Sequence, residues 1–152
     1  MIRFLTEGVD MPVKDELRVS QWISAVARGY GFGIGEINYI FCDDKRILEV
    51  NRQFLNHDYY TDIITFDYST SSRLSGDIYI SIETVRSNAD EYGKSDNITG
   101  EDTYTAELLR ILIHGILHLT GQGDKTEESK AEMTRKENAA LRLYSTPAAT
   151  SR

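Results

Sequence analysis

The spacing of apolar residues along the chain changes repeatedly between a period of two and a period of about 3.6. Short segments with alternating apolar positions predict four β-strands, at residues 2–6, 37–41, 62–68 and 77–82. Helical spacing predicts five α-helices, at residues 14–30, 44–54, 82–92, 108–119 and 126–144. Because strands precede a central helix, we predict a single α+β domain, with a small mixed sheet of about four strands packed with helices around that helix.

The limits of these elements follow from local residue types. Four apolar residues of the first predicted helix are assigned to the core: Leu17, Trp22, Ile23 and Val26. Residues 69–74 and 94–101 are predicted loops. The segment Thr126-Glu-Glu-Ser129 is a capping signature that opens the last helix. We expect a frayed tail at 145–152, so the domain comprises residues 1–144.

The helix predicted at 108–119 is apolar nearly all round, which is typical of a helix buried inside a protein. Its polar residues are spaced by three and four and form one narrow stripe: Glu107, Arg110, His114 and His118. An unpaired polar group in a core costs about 1–3 kcal/mol. Metal ligation contributes about 10–16 kcal/mol in favourable structural sites. The stripe therefore favours metal binding over the alternative of two hydrogen-bonded core histidines.

The stripe ends in the motif His114-Gly-Ile-Leu-His118-Leu-Thr-Gly121-Gln-Gly-Asp124. His114 and His118 are four residues apart, so both imidazoles lie on one face of a helix. Gly121 can adopt the left-handed conformation that ends a helix, and the chain can then bring Asp124 back toward the imidazoles. Two histidines and one carboxylate, with a fourth position open to water, form the ligand set of a catalytic zinc site. We therefore predict that His114, His118 and Asp124 bind one Zn²⁺ ion.

The residue next to the first histidine argues against peptidase chemistry. The spacing is that of the metzincin metalloproteases, with Asp124 at the third ligand position. In those enzymes a glutamate beside the first histidine is the general base, whereas this chain has Gly115. We expect Gly115 to allow a close approach by another backbone or by a substrate. A hydrolase of a different ester or amide remains an alternative. Activity of the metal-loaded protein on a peptide library would favour it.

Composition limits the partners and the compartment. The 152 residues carry a net charge of −7, which argues against a broad nucleic-acid-binding face and restricts any basic surface to local groups such as Lys125 and Lys130. The single cysteine, Cys42, cannot form an intramolecular disulfide, and we expect it to be a small buried residue. No apolar run is long enough for a signal peptide or a membrane helix, so we expect a cytoplasmic protein without membrane association.

Several segments resemble one bacterial family. The run H-G-x-L-H-L-x-G that begins at His114 resembles the signature of the YbeY family, endoribonucleases of ribosomal RNA maturation. Residues 61–66 resemble that family's T-D-V-L-S-F strand. Residues 76–82, with residues 88–89, resemble its G-D-I-x-I-S strand and the following helix. Residues 51 and 54 fit its L-N-x-x-[YF] helix end. The match extends from about residue 13 to residue 141, with the motifs in the same order.

The resemblance implies a zinc-dependent endoribonuclease that is selective for single strands and acts in ribosomal RNA maturation, especially at the 3′ end of the small-subunit rRNA, and in ribosome quality control. It implies ribosomal RNA and the small ribosomal subunit as partners, and no organic cofactor. The family's third histidine ligand aligns with Asp124, so His114, His118 and Asp124 carry over as the ligands. The identity of the catalytic residues and the oligomeric state stay open.

One departure from the family pattern concerns catalysis. Leu55 stands where the family has an arginine that is thought to serve catalysis. Leucine cannot bind a phosphate, and Arg52 or Arg110 could take its place. The departure motivates a second hypothesis, a non-catalytic ribosome-assembly factor in which the metal only stabilises the ligand helix. Three aromatic residues could either stack on exposed bases or pack in the core: Tyr59, Tyr60 and Phe66.

Acidic residues near the motif have alternative roles. Glu107 lies two turns before the first histidine and could orient an imidazole N–H. The alternative, which we favour, is that it pairs with Arg110 or Arg3. Asp62 and Asp77 lie at predicted strand starts, where aspartate often only stabilises a turn. We favour that local role for both over contact with a substrate or a metal.

Overall fold

Four strands form one sheet in the computed structural model, which describes residues 1–55, 61–92 and 98–145. The strands are β1 (Ile2–Thr6), β2 (Gly33–Cys42), β3 (Ile63–Asp67) and β4 (Arg73–Ser81). Their order across the sheet is β1-β2-β4-β3. β2 is parallel to both β1 and β4, whereas β3 runs antiparallel to β4 at the edge. The sheet is therefore mixed, as predicted.

Five helices accompany the sheet in the described part of the chain. They are α1 (Glu16–Gly29), α2 (Asp44–Leu55), α3 (Ile82–Tyr92), α4 (Thr103–Leu119) and α5 (Glu127–Ser145). The predicted α+β single domain is confirmed. α4 begins five residues earlier than predicted, because the side chain of Asp102 caps it by accepting a hydrogen bond from the amide of Thr105 at 2.9 Å. The predicted capping box of α5 is present, with reciprocal bonds between Thr126 and Ser129.

The main core lies between one face of the sheet and the helices α1 and α4. Ile37 and Tyr39 of β2 and Ile78 of β4 are fully buried there. The hydroxyl of Tyr39 donates to the carbonyl of Leu112 on α4 at 2.8 Å, so this buried polar group has a partner. The sheet thus covers the helix that carries the histidines.

A smaller cluster lies on the opposite face of the sheet, under α2. Its buried members are Cys42, Ile47, Val50 and Ile64. Phe66 packs against it, which is the packing role considered for this residue. Burial, together with the charge of Glu7, raises the pKa of the Cys42 thiol to about 12. The thiol is therefore protonated near neutral pH, and Cys42 is a packing residue as predicted.

The assignment of Leu17 to the core is wrong. The side chain of Leu17 is 69% exposed, whereas Val19 is 3% exposed. Two residues that are two positions apart on an α-helix point about 200° apart. Since Trp22, Ile23 and Val19 share the buried face of α1, Leu17 must point toward solvent.

Two strands are longer than the sequence predicts. β2 begins at Gly33 and β4 begins at Arg73, and these two residues pair with each other across the sheet. Glycine is depleted in strands, and Gly33, Gly35 and Gly76 interrupt the alternating apolar pattern, so this pairing is not visible in the sequence. Asp77 therefore lies inside β4, which corrects its predicted place at a strand start. Its carboxylate accepts a hydrogen bond from the side-chain amide of Asn38 at 3.0 Å.

Some predicted features fall outside the described residues. They include Tyr59, Tyr60, the first part of the loop predicted at 94–101, and the tail beyond Ser145, which is the last residue of α5. Among the helices that the structure describes, none combines the length and the apolar character needed to cross a bilayer.

Candidate metal centre

The three predicted ligands come together because of the way α4 ends. The amide of Gly121 donates to the carbonyl of His118 at 2.9 Å, and the amide of Gln122 donates to the carbonyl of Leu117 at 3.1 Å. This pair of bonds is the Schellman motif. Gly121 has a φ of 103°, a conformation that residues with a side chain rarely adopt. The turn reverses the chain and places Asp124 beside the histidines.

The distances from the Asp124 carboxylate to the two imidazoles match those between neighbouring ligand atoms of a tetrahedral metal. Oδ2 of Asp124 lies 3.4 Å from Nε2 of His114 and 3.4 Å from Nε2 of His118. In a tetrahedral zinc site with bonds of about 2.0–2.2 Å, neighbouring ligand atoms lie roughly 3.3–3.6 Å apart. A direct charge-assisted hydrogen bond would be shorter, at about 2.7–2.9 Å. The spacing therefore fits a shared cation better than it fits hydrogen bonding.

The other ring nitrogens have hydrogen-bond partners. Nδ1 of His118 donates to the carbonyl of Gln122 at 2.9 Å, because a carbonyl can only accept. Nδ1 of His114 lies 2.6 Å from Oε2 of Glu137, and an ionised carboxylate also only accepts. Each neutral ring then carries its hydrogen on Nδ1 and a lone pair on Nε2, the atom that faces Asp124. The residues present thus fit a zinc ion.

Glu137, on α5, is absent from the predicted site residues although it contacts His114 directly. Its side chain is 9% exposed and also accepts a hydrogen bond from Arg110 at 2.9 Å. A signal for it exists in the sequence, since Glu137 falls on the apolar face of α5 between the buried residues Met133 and Ala140. A charged residue on such a face indicates a partner in the interior. The sequence does not indicate which partner that is.

Glu107 does not orient either imidazole, which corrects one of its two predicted roles. The Nδ1 atoms of both histidines have other partners. Burial raises the pKa of Glu107, and the nearby charge of Arg110 only partly opposes that rise. Arg3, the other suggested partner, instead bonds to Glu36 and Asn38.

Negative charge accumulates around the histidines. Burial lowers the pKa of His114, but the hydrogen bond and charge of Glu137 and the charges of Asp124 and Asp62 outweigh it and raise that pKa above its ordinary value. Burial raises the pKa of Asp62, partly offset by His114 and by a hydrogen bond to the backbone of Ile63. The surrounding carboxyl groups make this end of α4 attractive to a cation.

A groove of about 310 Å³ opens beside the histidines. Its lining residues come from β3 and the end of α4: Ile63, Thr65, Asp67, His118 and Leu119. Alternate residues of β3 point into it because successive side chains of a strand point to opposite faces. A molecule bound in this groove would contact His118 directly.

Gly115 allows α4 to approach the sheet closely. A Cβ atom at this position would lie 3.1 Å from Cδ1 of Ile63 and 3.2 Å from Cδ1 of Ile78. The close approach predicted for Gly115 is therefore present. Its neighbours are side chains of the sheet, however, and not a backbone or a substrate, which corrects the prediction.

The two arginines suggested as replacements for the family's arginine have different environments. The guanidinium of Arg110 donates to Glu137 and to Asn138, each at 2.9 Å, so it is engaged within the protein. Arg52 is exposed on α2. Leu55 is the last residue of α2 and is 38% exposed.

Comparisons with known proteins identify relatives over nearly the whole chain. The family model described as Endoribonuclease YbeY matches residues 6–145. A protein named Endoribonuclease YbeY from Phocaeicola vulgatus is 52% identical over 145 residues, which cover 95% of this chain and 99% of that protein. Another of the same name from Bacteroides thetaiotaomicron is 50% identical over 142 residues, which cover 93% of this chain and 98% of that protein. The solution structure of TM1509 from Thermotoga maritima has a TM-score of 0.61 and 26% identity, and the match covers 95% of this chain and 89% of that one.

Proposed function

Because the chain belongs to the YbeY endoribonuclease family, we propose that it is a zinc-dependent endoribonuclease that cleaves single-stranded RNA during ribosomal RNA maturation. Its substrate is ribosomal RNA, especially the 3′ end of the small-subunit rRNA, and its partner is the small ribosomal subunit. It also takes part in ribosome quality control. It acts in the cytoplasm as one domain over residues 1–144. The observation that carries the proposal is the convergence of His114, His118 and Asp124 beside an open groove.

Each of the three side chains provides one ligand atom for a single zinc ion per chain. His114 and His118 present Nε2, because their Nδ1 atoms are bonded elsewhere. Asp124 supplies a negative charge that offsets part of the charge of a divalent ion. A zinc ion with three protein ligands supplies Lewis acidity toward a phosphoryl oxygen. Lys125, adjacent to Asp124 and exposed, contributes local positive charge of the kind that phosphate contacts require.

The test measures zinc content and RNA cleavage on the same samples. Wild-type protein is expected to bind one equivalent of zinc and to cleave a single-stranded precursor rRNA fragment faster than the same fragment annealed to its complement. The variants His118→Ala and Asp124→Asn are expected to lose bound zinc and cleavage together. Glu132→Gln, an exposed change on α5 that only removes a pair with Arg135, serves as the control and should preserve both. Unchanged cleavage by zinc-free His118→Ala protein would refute the proposal.

A second function is favoured by one observation. Arg110, a suggested substitute for the missing arginine at Leu55, is engaged by Glu137 and Asn138 inside the protein. The alternative is a ribosome-assembly factor in which zinc only stabilises α4 and the following turn. Zinc-loaded protein that binds the small subunit, loses its fold on chelation and cleaves no RNA would select this alternative.

A further inference from the structure

A hydrogen-bonded chain connects α4 to α5 behind the proposed metal site. Oε2 of Glu137 lies 2.6 Å from Nδ1 of His114 and accepts its hydrogen. Oε1 of Glu137 accepts a hydrogen bond from Nη1 of Arg110 at 2.9 Å. Nη2 of Arg110 donates to Oδ1 of Asn138 at 2.9 Å. The side chains of Glu137 and Arg110 are 9% and 24% exposed, so water has little access to this chain of bonds. Its donor and acceptor pattern is therefore decided by the side chains themselves.

The two histidines differ in what determines the position of their ring hydrogen. A neutral imidazole carries one hydrogen, on Nδ1 or on Nε2, and only the nitrogen without it can bind a metal. For His118 the determinant is a backbone carbonyl, that of Gln122, which is always an acceptor. For His114 the determinant is a side chain, Glu137. A side chain can be replaced, whereas the carbonyl of Gln122 is present in every variant.

We infer that Glu137 and Arg110 are positioning residues that together set the tautomer of His114 and so make its Nε2 a metal ligand. This inference rests on the proposed metal site. Glu137 accepts from Nδ1–H, and Arg110 acts one step further away by occupying the other oxygen. Because a guanidinium can only donate, any group that replaces the Glu137 carboxylate must present an acceptor to Arg110. Partners of this kind typically change metal affinity by about 10–100-fold when they are altered.

The substitution Glu137→Gln makes the role of Arg110 visible. The glutamine amide has one acceptor oxygen and one donor NH₂ group at nearly the positions of the two carboxylate oxygens. Arg110 requires the oxygen, so the NH₂ group faces Nδ1 of His114. Nδ1 must then accept, and the ring hydrogen moves to Nε2. A nearly isosteric substitution is thus expected to remove the lone pair that faces Asp124.

The tautomer can be measured in the metal-free protein. Two-bond ¹H–¹⁵N correlation spectra distinguish the two neutral tautomers, and the chain has only three histidines. At a pH above the raised pKa of His114, where the ring is neutral, we expect hydrogen on Nδ1 of His114 in the wild type and on Nε2 in Glu137→Gln. Zinc affinity, measured by competition with a chelator, should fall by about 10–100-fold in that variant. The ring of His118 should remain in its wild-type tautomer in both proteins.

A double variant separates positioning from loss of structure. Arg110→Met in the Glu137→Gln background removes the donor, so the amide can turn its oxygen toward His114. We expect the Nδ1–H tautomer and part of the zinc affinity to return. A purely structural role predicts the opposite, since the second substitution would weaken binding further. Asn138→Ala is the matched control, because it alters the same chain of bonds without touching His114, and it should change zinc affinity by no more than about twofold.

Three results would overturn the inference. They are a wild-type His114 with its hydrogen on Nε2, a Glu137→Gln protein with unchanged tautomer and affinity, and a double variant that binds zinc more weakly than Glu137→Gln. The first needs no variant and holds even if Glu137→Gln does not fold. The spectra require neither zinc nor RNA, so a wild type that fails to cleave RNA would refute the proposed function and leave the tautomer result standing.

Discussion

Replacing Gly76 with alanine tests how closely β3 and β4 approach each other. Gly76 lies in β4 opposite Asp67 of β3. A Cβ atom built on Gly76 would lie 2.4 Å from the backbone oxygen of Phe66. Real Cβ atoms essentially never lie within 3.0 Å of such an atom, so β3 and β4 must separate by at least 0.6 Å. The obstacle is backbone, and it cannot rotate away as the end of a side chain could.

The cost follows from the hydrogen bonds that this separation stretches. The amide of Tyr68, just beyond β3, donates to the carbonyl of Ser75 at 2.8 Å, and a 0.6 Å shift would lengthen this bond to about 3.4 Å, outside the usual range. Weakening this bond costs about 1 kcal/mol, and the overpacking itself costs a further amount of about 1–2 kcal/mol, so the free energy of unfolding should fall by about 2–3 kcal/mol. Since β3 lines the groove beside His118, the same shift should reduce RNA cleavage while leaving zinc affinity nearly unchanged.

Urea denaturation of the metal-free protein measures this loss, with Gly33→Ala as the matched control. Gly33 lies in the neighbouring strand β2, and its added Cβ would meet no atom closer than 3.8 Å. Gly33→Ala should therefore be neutral or slightly stabilising, by up to about 1 kcal/mol. If the two variants unfold at free energies within about 0.5 kcal/mol of each other, the close approach at Gly76 has no energetic consequence and the reasoning is refuted.

Three further predictions follow from the same structure. Gly115→Ala should lower the free energy of unfolding by about 1 kcal/mol, because an overpacking cost of about 2 kcal/mol from contacts of 3.1–3.3 Å with Ile63 and Ile78 exceeds the gain of about 1 kcal/mol in helix propensity; a stabilised variant in urea denaturation would contradict it. Burial raises the pKa of Glu107 in the folded protein, so the carboxyl group lowers stability above that pKa and has no such effect below its unfolded pKa of about 4.3. Glu107→Gln should therefore stabilise the protein more at pH 7.5 than at pH 4, and an equal gain at both pH values would exclude this account. Zinc at about 1,000 times its Kd should add about 4 kcal/mol of stability, or roughly 8–16 °C in Tm for a chain of this size; a Tm that a chelator leaves unchanged would rule out specific binding to the folded state.

Features that depend on residues near each other in the chain were predictable. His114 and His118 share a helix face because an α-helix repeats every 3.6 residues, whatever surrounds it. The positive φ of Gly121 and the capping bonds of Thr126 with Ser129 also involve only neighbouring residues. Their physical basis is local backbone geometry, and the residue types in the sequence report it directly.

Features that depend on packing between distant elements were not predictable. The pairing of Gly33 with Arg73 lengthens β2 and β4 at their N-terminal ends, where glycines interrupt the apolar pattern. Leu17 is a different case, because helical spacing alone separates it from the buried face of α1 that Val19, Trp22 and Ile23 form. The pairing of Gly33 with Arg73, by contrast, depends on the position of an element that lies far away in the sequence.

Local spacing along the chain is sufficient to place two imidazoles one turn apart on a buried helix, followed by a glycine turn. The contact of Glu137, 23 residues after His114, with the Nδ1 atom of that histidine arises from packing between helices, and so does the bond of Arg110 to the same carboxylate. A helix repeats at a fixed interval, so contacts within it can be counted along the chain. A contact between α4 and α5 depends on how the two helices rotate and slide against each other as their apolar faces pack, and no interval in the sequence encodes that arrangement.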